Sequence, residues 1–103
     1  MQLVFEALAS TARRKILAYL AHSELSAGEI ASRFSMSKPS ISQHLSVLEA
    51  AGLVCSEKRG QYVYYSIVQE NLVNTLHGFV QEVCPVSGPL RRESAKLSKK
   101  SVE

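Results

Sequence analysis

The sequence predicts a mainly α-helical domain carrying one β-hairpin, in the order α-α-α-α-β-β-α. Three observations lead there. Apolar residues recur at helical spacing up to Ala51, two serine-capped helices follow one another across a tight turn, and after Gly52 the period becomes alternating.

"FEALASTARRKILAYLAH" sets Phe5 and Leu8, then Ile16, Leu17, Tyr19 and Leu20 at helical spacing. Ser10 or Thr11 as an N-cap divides a short helix from a longer one. Ser26-Ala-Gly-Glu29 is a capping box, serine at N-cap and glutamate at N3, and Leu25 and Ile30 take the staple positions around it. This third helix is expected from Ala27 to about Phe34. Only Ser35 and Met36 intervene before the next cap, Ser37. Pro39 is harmless there, because early helix N–H groups have no intrahelical partner. Met36 and Ile41 form a second staple, and Gly52 stops the helix near Ala51. Two helices joined so tightly read as a helix-turn-helix.

"LVCSEKRGQYVYYSI" then places Leu53 and Cys55 on one face and Val63, Tyr65 and Ile67 together, with the turn at Arg59-Gly60. The hairpin tip, Lys58-Arg59, is basic. A last helix from about Glu70 to Cys84 carries Leu72, Val73, Leu76, Phe79, Val80 and Val83, and Pro85 ends it. Residues 1–84 therefore form one domain, and 85–103 a basic tail rich in Pro, Ser and Lys that is expected to be disordered. With a hairpin after the helix-turn-helix, the whole order describes a winged helix-turn-helix.

Charge and composition narrow the chemistry. The formal charge is +3, yet residues 1–84 carry equal numbers of Lys/Arg and Glu, so the excess lies wholly in the tail. The tail cations suit either extra non-specific nucleic-acid affinity or solubility. The pI alone is thus no argument for nucleic-acid binding. No Asp occurs, and no GxSxG, HExxH or phosphate-loop motif is present, so the sequence does not read as an enzyme. Cys55 and Cys84 lie in no CxxC, and with three scattered histidines they offer no zinc spacing. Such cysteines are expected to serve as small hydrophobes. No cofactor is expected. The absence of a long apolar run or a signal-peptide pattern leads us to expect a cytoplasmic protein that does not insert into membranes.

"MSKPSISQHLSVLEAAGLV" carries the functional signal. Ile41, Leu45 and Leu48 share the inward side of the helix, while Pro39, Ser42, Gln43 and Ser46 point outward. Soluble helices normally coat that side with Lys and Glu. A small, neutral, hydrogen-bonding face instead lets a helix sink into the major groove, where Gln reads adenine and Ser serves several bases. Ser37, Lys38 and Ser40 at the helix start, and Lys58, Arg59 and Gln61 at the wing, complete the expected DNA-binding set. Arg13 and Arg14 sit in a first helical turn, where the dipole disfavours cations. They either pair with Glu6 and other carboxylates, which we favour, or face phosphate.

"ALASTARRKIL", "SAGEIASRFSMSKPSISQHLSVLEAAGLV" and "RGQYVYYSI" together resemble the ArsR-type family of bacterial repressors over residues 4 to 84, and within it the SdpR-like autorepressors. The resemblance implies a homodimer on a promoter inverted repeat of double-stranded DNA, with the Ser37–Ser46 helix as reader. The family's paired sensor cysteines would fall at Ser26 and Gly28, and its interfacial metal ligands near Gln69, Asn71, Glu82 and Pro85. Of these only Glu82 could ligate, so no metal site is expected, and the effector is unknown. His77 is expected to pack or face solvent. A thiol-responsive repressor using Cys55 and Cys84 is the alternative regulatory reading, though Cys55 lies on the hairpin, away from the family's first position. A winged-helix module for protein partners is the alternative in kind. Finally, the broad apolar stripe of the last helix needs a cover. Pairing Val4, Phe5 and Leu8 with Leu72, Leu76, Phe79, Val80 and Val83 of a second copy would supply it.

Overall fold

A computed structural model describes residues 2–84. The expected tail, 85–103, lies outside the described residues. Eight elements follow in order: α1 (Gln2–Leu8), α2 (Thr11–Leu20), β1 (Leu25–Ser26), α3 (Ala27–Ala31), α4 (Lys38–Ala50), β2 (Val54–Arg59), β3 (Tyr62–Ile67) and α5 (Gln69–Val83). The chain divides into two compact units at Leu72/Val73, within α5. The expected α-α-α-α-β-β-α order is present, with one addition. The hairpin gains β1 on its open edge, giving an antiparallel sheet in the order β1-β3-β2.

Each helix of the first unit starts and stops for a local reason. Ser10 caps α2 by accepting from Arg13 N at 3.2 Å. Ser26 and Glu29 exchange both capping-box bonds, at 3.2 and 2.9 Å. Leu25 and Ile30, the expected staple, are both buried. Met36 is 38% exposed, so the second staple adds little. α3 ends three residues earlier than expected. Ser32 Oγ donates to Glu29 O at 2.7 Å, and Arg33 N and Phe34 N bond three residues back, so the last turn tightens out of α geometry.

α4 closes in a Schellman motif. Gly52, at φ 78°, gives its N–H to Glu49 O at 2.9 Å, and Leu53 N reaches back to Leu48 O at 3.0 Å. Leu48 and Leu53 are both fully buried, the apolar pair that accompanies this cap. Leu53 is thus a helix-cap residue, and the strand starts at Val54. That single-residue change of phase turns Val54 inward and leaves Cys55 exposed, against the expectation that Cys55 would share the buried face with Leu53.

The core of this unit is a seam of Ile16, Leu20, Ile30, Ile41, Leu45 and Leu48, which α1, β1 and β2 extend through Val4, Ala7, Leu25 and Val54. Val4 is only 5% exposed. It belongs to the protomer's own core, whereas the sequence suggested that it would pair with a second copy. Arg13 and Arg14 are held internally, but not by carboxylates. Arg13 donates to the carbonyls of Ala7 (2.8 Å) and Glu6 (3.1 Å), and Arg14 to that of Leu8. These are carbonyls at the C-terminal end of α1, past its i→i+4 hydrogen bonds and at the negative end of the helix dipole, and that of Glu6 also accepts from Ala9 N at 3.2 Å. The Glu6 carboxylate accepts from Gln2 instead.

Of the second unit, the described part is the remainder of α5. This helix has no buried residue along its 15-residue length, and Val73, Leu76, Phe79, Val80 and Val83 are all exposed. Among the described residues no helix is long and apolar enough to cross a membrane.

Candidate nucleic-acid interface

α4 presents two unlike sides. Ile41, Leu45 and Leu48 are fully buried and fix the helix rigidly on the core. At about 100° per residue, Pro39, Gln43 and Ser46 project from the other side, with Ser42 and Ser40 on its margins. Gln43 and Ser46 are exposed, and neither they nor Ser42 spend a side-chain hydrogen bond on any described residue. Ser37 and Ser40 are more committed: Ser37 Oγ accepts from Ser40 N at 3.3 Å and donates to Ser40 Oγ at 3.1 Å. They build the N-cap that aims the first turn outward. Pro39 sits in that first turn, where it costs no hydrogen bond.

The wing flanks α4 on one side, where Ser56 Oγ donates to Glu49 at 3.0 Å. Between wing and helix lies a slot of about 280 Å³ lined by Ser26, Gly28, Lys38, Ser42, Gln61, Tyr62 and Tyr65 among others. Lys38 is exposed at its mouth and makes no ion pair with a described residue. Burial, with a smaller contribution from the Glu49 charge, pushes the Tyr65 phenol up from its ordinary value and keeps it neutral.

The two cations of the wing tip separate. Strand alternation puts Lys58, paired with Val63, on the face that carries Tyr65, toward the slot. Arg59 lies on the opposite face and reaches across the sheet. Its guanidinium stacks 5.2 Å from the Tyr64 ring centroid and pairs with Glu24 at 2.8 Å and Glu57 at 2.7 Å. Ser66 also donates to Glu24, at 3.2 Å. The Arg59 hydrogen bond, then that of Ser66, holds the Glu24 carboxyl below its ordinary value, and the two carboxylates push the arginine further up. Arg59 therefore ties β2 to the loop before β1. Sequence reasoning missed this strap, since nothing local links residues 24 and 59. The turn beside it uses Gly60 at φ 64° with Gln61 next in the loop, a Gly-X hairpin loop.

Cys55 is exposed on β2 and Cys84 half-buried just past α5, both as free thiols. Among the described residues no group of three or more His, Cys, Asp or Glu could hold a metal ion.

The sequence model for bacterial regulatory proteins of the arsR family matches residues 10–56, the stretch from the α2 cap through α4 into β2. The transcriptional repressor SdpR of Bacillus subtilis strain 168 is 39% identical over 85 residues, covering 80% of this chain and 94% of its own. The chain belongs to the arsR family. As an arsR-family protein with a winged helix-turn-helix, it is a DNA-binding transcriptional regulator. An ArsR-like transcriptional regulator from Rhodococcus sp. RHA1 superposes with a TM-score of 0.75 at 31% identity, covering 99% of this chain and 92% of that one. The transcriptional activator HlyU of Vibrio cholerae is 41% identical over 64 residues, 62% of this arsR-family chain and 59% of HlyU.

Proposed function

We propose that the protein is a homodimeric repressor that reads an inverted-repeat operator with α4. The observation that carries this reading is the outward face of α4: neutral and unengaged at Ser42, Gln43 and Ser46, with Gln43 and Ser46 exposed and Ser42 half-buried at its margin, over three fully buried leucine and isoleucine side chains. Gln43 makes the bidentate adenine contact, and Ser42 and Ser46 serve neighbouring base edges. Lys38, Gln61 and Lys58 hold the phosphate strand that separates the major groove from the wing. Pro39 and Ser40 line the approach and Ser37 directs the helix start. Arg59 orders the wing through its strap. Repression is favoured over activation because the repressor SdpR matches over 94% of its length, whereas the activator HlyU matches over 59%. A dimer bound across a promoter element blocks it by occupancy alone.

Dimerisation is supported by α5. α5 is tied to the core through Leu72 and Asn71 at its start, and its remaining apolar stripe, exposed in the protomer, leaves a helix of this length marginal in water by itself. Leu76, Phe79, Val80 and Val83 of one copy meet those of another, and Phe5, Leu8 and Leu72 likewise face the second copy. The two readers then address half-sites roughly one DNA turn apart. Selection of bound duplexes from a random pool tests the reading. An enriched inverted repeat supports it, and a pool that stays random contradicts it.

A further inference from the structure

The wing covers one flank of α4, and α2 lies along the other, where Arg13 Nη1 comes within 3.3 Å of His44 Nδ1. A groove of about 550 Å³ is lined by Thr11, Ala12 and Lys15 of α2 and by Arg33, Phe34, Ser35 and Met36 of the turn into α4. No carboxylate lines it. Lys15 is exposed and forms no ion pair or hydrogen bond through its side chain with any described residue. Arg33 is held rather than loose. Its Cζ stands 5.6 Å from the Tyr19 ring centroid, Nη1 donates to Glu29 O at 2.8 Å, and Tyr19 is itself braced on Phe34 at 5.7 Å. One of five guanidinium N–H donors is thus used, and the rest remain for an acceptor.

We infer that this groove binds the backbone of the second DNA strand, with Lys15 and Arg33 on its phosphates. This rests on the proposal that α4 enters the major groove. A helix lying there is flanked by two phosphate strands across a groove about 12 Å wide. The wing-side slot with Lys38 receives one of them. The groove formed by α2 and the turn is offered to the other: it is positively charged, free of carboxylates, and reaches Met36, two residues before α4 begins. An arginine already pinned on an aromatic ring loses little further freedom on meeting phosphate. α2 thereby becomes a backbone clamp that sets the depth and tilt of α4, and it carries no sequence information of its own.

The test is DNA binding by Lys15→Ala, Arg33→Ala and the double variant, titrated over several salt concentrations with operator and random duplexes. Lys38→Ala is the control for the opposite flank. Each lost phosphate contact lowers the slope of log K against log salt by about 0.9 per subunit. The double variant loses about twice that, and the operator-to-random ratio stays as in the wild type. Phosphate-ethylation interference should disappear on the strand away from the wing. Because Arg33 also packs on Tyr19, Lys15→Ala carries the inference, with an unchanged thermal midpoint as its folding check. If Lys15→Ala and the double variant keep the wild-type slope and interference pattern while Lys38→Ala lowers the slope, the inference is overturned and the α4 reading stands. If neither the wild type nor Lys38→Ala shows salt-dependent DNA binding, both fail.

Discussion

Gly52→Ala probes the joint between the reading helix and the wing. Gly52 sits at φ 78°, and a Cβ built there would lie 3.3 Å from Asn71 Nδ2. An L-residue in the left-handed region costs roughly 1–2 kcal/mol. Asn71 Nδ2 also donates to Gly52 O at 2.7 Å, and losing such a bond costs roughly 0.5–1.5 kcal/mol more. The asparagine must give way by a few tenths of an ångström, so the variant should lose roughly 1.5–3.5 kcal/mol by these two terms together. In an Asn71→Ala background the crowding and the bond are already gone. There, Gly52→Ala should cost only the backbone term. Urea denaturation of the four proteins, with unchanged m-values, measures both numbers. A single Gly52→Ala within 0.5 kcal/mol of wild type would refute the Schellman account of how α4 ends.

Lys58→Ala should lower the salt slope of DNA binding by about 0.9 per subunit, because Lys58 faces the slot without an internal partner. Arg59→Ala should leave the slope nearly unchanged and instead loosen the wing, seen as faster amide exchange in β2 and β3. Glu24 is held below its ordinary 4.5, so its contribution is present above that value and is lost as pH falls through the lower folded value. In an NMR titration the Ser66 side-chain signals should therefore move below pH 4.5, and in Glu24→Gln they should not. Val80→Glu, placed in the exposed stripe of α5, should yield monomer by sedimentation at concentrations where the wild type is dimeric.

Much of the fold was legible because its punctuation is local. Ser26-Ala-Gly-Glu29, Ser37 and Gly52 act through hydrogen bonds to their own neighbours, so their spacing alone placed α3 and α4. The wing followed from alternation between Val63 and Ile67. What the sequence hid was non-local or too short to show a period. β1 is two residues long and exists because β3 has a free edge. The Arg59–Glu24 strap spans 35 residues, and the carbonyls that hold Arg13 and Arg14 belong to a helix end, not to a side chain. Of the candidate site, the face of α4 was visible as an absence of charge where charge is normal. The difference in roles between Lys58 and Arg59 was not, since two adjacent strand residues look alike until the sheet assigns their faces.

Operator titration of Gln43→Ala tests the central claim most directly. Gln43 is exposed on α4 and supports nothing in the protomer, so its loss should leave folding intact. On a selected operator and its single-base variants, the account predicts loss of preference at one position in each half-site. That loss should be worth about 1–3 kcal/mol of discrimination, with the salt slope unchanged. A Gln43→Ala protein that keeps the full wild-type preference at every position would show that α4 is not the reader.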